Sequence, residues 1–380
     1  MRITIKIGSN VLTRPDGSLD VTRMSSIVDQ VASLRKAGIE VLLVSSGAMA
    51  SGRSELKGMV HGKMDSVDER QLYSAVGQAK LINRYYELFR DHGIAVGQVL
   101  TMKENFGTRH HYLNQRNCMS VMLENGVIPI INENDTVSVT ELMFTDNDEL
   151  SGLIATMMDC DALVILSNID GLYTGNPSDP SSTLIRTVAP GRDISEYVST
   201  AKSGFGRGGM QTKSNIAMKV AQEGIAVVIA NGKREDILLK LAPMFQAEST
   251  STLSSSLSLP DVPFTVFLPS EETVSSVKKW IAHSDGYSKG GIYLNSGATE
   301  KVLGEQAVSI LPVGVTKVEG NFETHDIISI YDDQGQKIGV GRSDYDADEA
   351  RAALGKRDMK PIVHYDYLFI DNRAEDSVSL

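Results

Sequence analysis

The stretch IEVLLVSSGAMASG, Ile39–Gly52, decides the fold. Its first half is a run of apolar residues with no polar alternation. A strand buried on both faces reads this way, and such strands belong to parallel sheets covered by helices on each side. Its second half, Ser45-Ser46-Gly47-Ala48, turns to small residues that open a helix. Small residues there let a ligand approach the helix N-terminus, whose partial positive charge favours an anion. Simple serine capping is the plain alternative for the same letters.

Outward from this stretch the pattern recurs. ITIKIG (3–8) leads to a helical pattern over Val21–Lys36, closed by Gly38. A long helical pattern covers Val67–Arg90. IAVGQVL (94–100), a helix near Tyr112–Glu124, VIPIIN (127–132), a helix near Glu149–Met158 and DALVILSN (161–168) follow. Met210–Gln222 reads as helix and IAVVIA (225–230) as strand. Alternation of this kind predicts an α/β fold, a mainly parallel sheet sandwiched by helices. Ligands of such sheets bind at the carboxyl ends of the strands.

After about residue 245 the pattern changes. Residues 249–258 are serine-rich and read as a loop. VKKWIAH (277–283) then leads into short strands separated by turn residues, which predicts a small β-rich second domain. The expected division is 1–270, a linker over 271–286, and 287–370.

Bulk properties narrow the function. A chain of 380 residues is long for one core, so two domains are expected. The net charge of −11 argues against broad binding to nucleic acid or anionic membrane. No apolar run reaches the roughly 18 residues of a membrane span. MRITIKIGSN is too short and polar for a signal peptide and reads as a strand. Cys118 and Cys160 lack metal spacing and sit in apolar helical text, so both are expected to be buried free thiols in a reducing cytoplasm.

The residues after each strand carry the chemistry. Lys6 stands inside the first strand, beside Gly8-Ser9-Asn10, where an ammonium and free N–H groups can meet a polyphosphate. A solvent-facing lysine on an edge strand is the alternative. Asn132, Glu133, Asn134 and Asp135 follow one strand, and Asp146, Asn147, Asp148 and Glu149 form a second cluster. Helix capping explains one such residue, not two dense clusters. Carboxylates beside amides suit an amino-acid substrate, which brings both an ammonium and a carboxylate. Ser167 and Asn168 end another strand and could wall a nucleotide.

GFGRGGMQTK (204–213) lacks the preceding strand of a dinucleotide turn. It also lacks the Gly-Lys pair of a Walker loop, since Thr212 precedes Lys213. A flexible surface loop is the plain reading of it alone. No histidine enters these clusters; His110 and His111 are expected at an exposed helix start. A hydroxyl acceptor would call for a general base. A carboxylate acceptor, with a pKa of about 4.3, is already ionised at neutral pH.

KIGSNVLT (6–13), VSSGAMASG (44–52), AVGQAKL (75–81), YLNQRN (112–117), IPIINENDTVS (128–138), TDNDELSG (145–152), LSNIDGLYTGNP (166–177) and GRGGMQTK (206–213) stand in the order seen in the glutamate 5-kinases. Residues 1–240 resemble that branch of the amino acid kinase superfamily. LPVGVTKVEGNF (311–322) and the β-rich tail resemble a PUA domain. The resemblance implies phosphorylation of the side-chain carboxylate of L-glutamate by ATP with Mg2+, the first step of proline synthesis, without a general base.

Residue by residue, it implies that Lys6, Lys213 and Asp148 are catalytic. Ser46, Asp135, Asn147 and Asn132 would bind glutamate. Lys6, Gly8, Ser167, Asn168, Arg207, Gly208, Gly209, Met210, Gln211, Thr212 and Lys213 would line the ATP site. Mg2+ would ride mainly on the ATP phosphates, with Asp148 the candidate protein ligand. Many relatives carry aspartate where Asn168 stands. The resemblance also implies a cytoplasmic homo-oligomer, a dimer or tetramer, inhibited by L-proline and handing its product to glutamyl phosphate reductase. PUA folds bind RNA in other proteins, but residues 275–360 hold 11 Lys/Arg against 13 Asp/Glu, so RNA binding is not expected.

Overall fold

The computed structural model describes residues 1–60, 62–106, 109–137, 144, 146–198, 209–245, 260–270, 281, 288–304, 308–357 and 359–370. The serine-rich stretch 249–258 and nearly all of 271–286 lie outside the described residues. Two compact units emerge: Met1–Lys103 with Asn114–Thr273, and Glu104–Leu113 with Val274–Leu380.

The strands of the first unit are β1 (Arg2–Ile7), β2 (Glu40–Ser45), β3 (Val96–Thr101), β4 (Ile128–Glu133), β5 (Ala162–Ser167), β6 (Thr187–Val188), β7 (Ala226–Asn231) and β8 (Phe264–Phe267). The helices up to its end are α1 (Ser9–Leu12), α2 (Val21–Lys36), α3 (Ala48–Glu55), α4 (Ser66–Arg90), α5 (Arg109–Glu124), α6 (Asn147–Met157), α7 (Ser195–Val198), α8 (Met210–Gln222) and α9 (Ile237–Leu241). The strands form one sheet in the order β3-β4-β2-β1-β5-β7-β8-β6. Among the described residues of this sheet, only the β7–β8 pairing is antiparallel.

β1 is central, not an edge strand. Ile3, Ile5 and Ile7 are fully buried, as is Thr4 on the opposite face. β2 lies on one side of β1 and β5 on the other, which makes β1 the point where the winding reverses. The register aligns the functional ends: Ile7 pairs with Ser45 and with Leu166, Val44 with Ile131, and Ser167 with Asn231. Residues following β1, β2, β4, β5 and β7 therefore emerge along one edge, where a crevice forms in sheets of this class.

Helices α3 and α4 touch backbone to backbone. A Cβ on Gly77 would lie 1.7 Å from the Ala48 carbonyl oxygen, and one on Gly52 would lie 1.8 Å from that of Tyr73. Glycine is required at both positions by this approach, not by any unusual φ. Tyr85 of α4 also reaches Ser45 at the end of β2, Oη to Oγ 2.8 Å. These contacts fix the turn Ser46–Ala48 against α4.

Cys118 is exposed on α5, against the expectation of burial, because it lies on the solvent side of that amphipathic helix. Cys160 is buried as expected, but in the turn between α6 and β5 rather than in a helix. His110 and His111 are exposed in the first turn of α5.

The second unit has its own sheet of β9 (Gly290–Leu294), β10 (Val315–Gly320), β11 (Ile327–Tyr331), β12 (Lys337–Ser343) and β13 (Val363–Ile370), ordered β10-β9-β11-β12-β13. Helices α10 (Ser296–Leu303) and α11 (Ala347–Ala353) accompany it. Ile292, Leu294, Ile328, Ile330, Ile338 and Ile362 form its separate core.

The α3–α4 contact yields a stability test. Gly77→Ala should destabilise the fold by about 1–3 kcal/mol, the usual cost of overpacking. Urea unfolding measures it; a variant within about 0.5 kcal/mol of the parent would show that the two helices are not in tight backbone contact.

Candidate active site

A charge centre forms where β1, α6 and α8 meet. Lys6 Nζ lies 2.5 Å from Asp148 Oδ1, and Lys213 Nζ lies 2.6 Å from Asp148 Oδ2. The Asp148 side chain is 1% exposed, and the lysines are 6% and 12% exposed. Burial raises the Asp148 pKa, but Lys6 and Lys213 outweigh it and hold the carboxyl below its ordinary value. The carboxylate stays ionised and grips both ammonium groups.

Local structure explains the placement. Asp146 caps α6, its Oδ1 accepting from the N–H groups of Asp148 (2.9 Å) and Glu149 (3.1 Å). Asp148 thus stands in the first turn, where the helix dipole favours a carboxylate. Gly152 lets α6 and α8 approach, since a Cβ there would sit 3.0 Å from Val220 and 3.1 Å from Ile216. The approach brings Lys213, in the first turn of α8, within reach of Asp148.

A polar network stands beside this centre. Asn147 Nδ2 donates to Ser46 Oγ (2.8 Å) and to Asn132 Oδ1 (3.0 Å). Asn132 Nδ2 donates in turn to Gln78 Oε1 (2.9 Å). Ser46, Asn132 and Asn147, expected together, are brought together. Asp135 joins a second group instead: Arg70 Nε donates to Asp135 Oδ1 (2.7 Å), and Arg70 Nη2 donates to Glu133 Oε2 (3.0 Å) and to Asp135. Glu133 Oε1 also accepts from the Phe144 N–H (3.1 Å). A cleft of about 220 Å3 lies between α4 and the ends of β3 and β4, lined by Ala48, Ser74, Gln78, Leu100, Glu133 and Asp135 among others. It is smaller than the roughly 300–1,000 Å3 of ordinary drug-sized pockets, and the acidic and amide groups of Glu133, Asp135 and Gln78 stand in an otherwise largely apolar lining, which suits a small molecule with few polar groups.

Sequence reasoning overlooked Arg70 and Gln78. Arg70 shares the inward face of α4 with Tyr73, Gly77 and Leu81, at helical spacing. A lone arginine in an apolar stripe signals a buried anionic partner. Gln78 gave no such signal, because a half-buried glutamine beside a glycine is unremarkable.

The residues expected around ATP emerge along the same sheet edge. Gly8 follows β1; its N–H donates to the Leu166 carbonyl (3.1 Å), and a Cβ there would lie 3.6 Å from Lys6 Nζ. Ser167 is buried at the end of β5, and Asn168 is exposed just beyond it. Gly209 is the N-cap of α8, and Met210, Gln211 and Thr212 lead to Lys213 in its first turn. Arg207 and Gly208 lie outside the described residues. Nearby, Arg234 clasps Asp170 through two bonds of 2.7 Å, and Asn231 Nδ2 donates to the same carboxylate (3.1 Å). The Arg234 hydrogen bonds hold the Asp170 carboxyl below its ordinary pKa.

Each Asp148 oxygen faces an ammonium, so this carboxylate suits lysine positioning better than metal ligation. Among the described residues, no group of three or more His, Cys, Asp or Glu side chains could hold a metal ion.

A model described as the amino acid kinase family matches residues 1–231, and one described as the PUA domain matches residues 290–365. A Bacteroides thetaiotaomicron protein named glutamate 5-kinase is 63% identical over 370 residues, 97% of this chain and 98% of that one. Proteins of the same name are 43% identical in Chlorobaculum tepidum, over 97% of both chains, and 39% identical in Geobacter sulfurreducens, over 96% of this chain and 94% of that one.

Asp146 yields a pH test. Burial, reinforced by Asp148, pushes its pKa from 3.8 up to about 6. Between these values the folded chain keeps a proton that the unfolded chain has lost. Stability contributed by this group is therefore greatest at the acid end and falls as pH rises through 3.8 to 6. Asp146→Asn keeps the capping oxygen and removes the charge. Relative to the parent it should gain stability as pH rises from about 4 to about 6, and keep the gain at neutral pH. Urea unfolding across that range checks it; a parent–variant difference that does not change with pH contradicts it.

Proposed function

The chain belongs to the amino acid kinase family, and on that premise we propose that it transfers the γ-phosphoryl group of ATP to the side-chain carboxylate of L-glutamate, giving glutamyl 5-phosphate and ADP. The observation that carries the reading is the pair of lysines from distant parts of the chain, held on one buried carboxylate at the crevice of a parallel sheet. Phosphoryl transfer needs positioning and neutralisation of charge more than covalent help. Lys6 and Lys213 supply two positive charges to the equatorial oxygens of the transferring group. Asp148 holds them in place. The acceptor is a carboxylate, ionised at neutral pH, so no general base is required. Mg2+, carried by the ATP phosphates, would supply further neutralisation.

Glutamate is the acceptor that the relatives' names and the cleft chemistry jointly favour. Asp135 and Glu133 offer charge to an ammonium, and Ser46, Asn132 and Asn147 order the polar wall beside them. Gly8, Ser167, Asn168 and residues 207–213 are the proposed nucleotide contacts. Residues 1–270 would perform the reaction, joined through 271–286 to a separate PUA module over 287–370. The same reading assigns the step to proline synthesis in the cytoplasm, with L-proline as feedback inhibitor, a homo-oligomeric assembly, and hand-off of the product to glutamyl phosphate reductase. Among the described residues no helix is long and apolar enough to cross a membrane.

Glutamate-dependent ATP turnover, trapped by hydroxylamine as the hydroxamate, tests the activity. Turnover with aspartate, N-acetylglutamate or carbamate and none with glutamate overturns it. Lys6→Ala and Lys213→Ala should each lower kcat about a hundredfold, the effect of losing one well-placed charge. A near-normal kcat in either variant removes that lysine from the mechanism.

A further inference from the structure

We propose that Gln78 is a specificity-determining residue whose side-chain N–H groups, with the Ser74 hydroxyl, hold the α-carboxylate of the amino-acid substrate. This rests on the glutamate reading above and adds the groups that read the acceptor's other end.

The argument follows the direction of the amide chain. Asn147 uses its Nδ2 on Ser46 and on Asn132 Oδ1. The Asn132 amide is thereby turned so that its Nδ2 faces Gln78 Oε1. Gln78 is left with its carbonyl oxygen engaged and its Nε2 without a protein partner among the described residues, at the wall of the cleft. The Ser74 side chain, four residues earlier, projects from the same face of α4. It lines the same cleft, is 2% exposed, and its Oγ has no hydrogen-bond partner. A buried hydroxyl without a partner is costly, and a ligand oxygen would satisfy it.

Among the described residues no lysine or arginine lines the cleft. Arg70 lies behind its anionic wall, tied to Glu133 and Asp135. A substrate ammonium would meet these carboxylates. The carboxylate on the same carbon must then be received by neutral donors, and the Gln78 amide and the buried Ser74 hydroxyl, one turn apart on α4, are neutral donors at this wall that the described residues leave unmatched. An acceptor lacking that carboxylate would leave both donors unmatched, which is the strongest basis for rejecting an analogue.

The test compares L-glutamate with 4-aminobutyrate, which has the ammonium and the distal carboxylate but no α-carboxylate. The glutamate KM and the inhibition constant of 4-aminobutyrate against glutamate are measured in the hydroxamate assay for the parent, Gln78→Glu and Gln78→Leu. Gln78→Glu keeps an acceptor for Asn132 and turns a second carboxylate oxygen to the cleft. The glutamate KM should rise about tenfold or more in both variants. The 4-aminobutyrate constant and the ATP KM should stay within about twofold. A glutamate KM within twofold of the parent, or equal weakening of both ligands, overturns the role of Gln78. If Gln78→Glu fails to fold by urea unfolding, Gln78→Leu decides by the same comparison. A parent with no glutamate turnover sinks the proposed activity instead, so the two failures are distinguishable.

Discussion

The site depends on a single buried carboxylate held between two ammonium groups. Removing three charges from water is costly, and their attraction repays it only when geometry and hydrogen bonding are close to ideal. The fold supplies that geometry from three directions. β1 places Lys6 in the middle of the sheet, α6 presents Asp148 in its first turn, and α8 packs over Gly152 so that Lys213 arrives from the other side. Withdraw Asp148 and two positive charges face each other without a counter-ion; withdraw either lysine and the carboxylate keeps only one partner. The same arrangement leaves one net positive charge at the crevice, which a phosphoryl group would offset.

Around this centre the molecule separates an ionic group from a neutral one. The amide chain from Ser46 through Asn147 and Asn132 to Gln78 carries no charge and sets hydrogen-bond direction. The Arg70 group carries charge but is internally paired. Backbone contact between α3 and α4 fixes the position of the first group against the second. The second unit has its own core and sheet, with a region close to charge balance, and it matches the PUA domain model.

Much of this was legible in the sequence because long apolar periods speak plainly. The helices Val21–Lys36 and Met210–Gln222 run between the expected residues, and the unbroken apolar strands form the parallel sheet. Dense polar clusters after strands marked the crevice. α6 begins at Asn147 rather than Glu149, because Asp146 caps it and carries the helix back into the cluster. Pairing across the chain was hidden: nothing in sequence spacing links Arg70 to Asp135 or Gln78 to Asn132. Cys118 was misjudged because an apolar neighbourhood in sequence does not tell which helix face a residue occupies. In the second unit, α10, α11 and β13 escaped notice, being short elements whose periods mix polar and apolar residues.

The most direct test of the central claim is a kinetic double-mutant cycle on kcat between Lys6→Met and Asp148→Asn. If Asp148 acts by holding Lys6 and Lys213, the double variant should be far less impaired than the product of the two single losses. Losses that multiply fully, each residue contributing independently, would contradict the account.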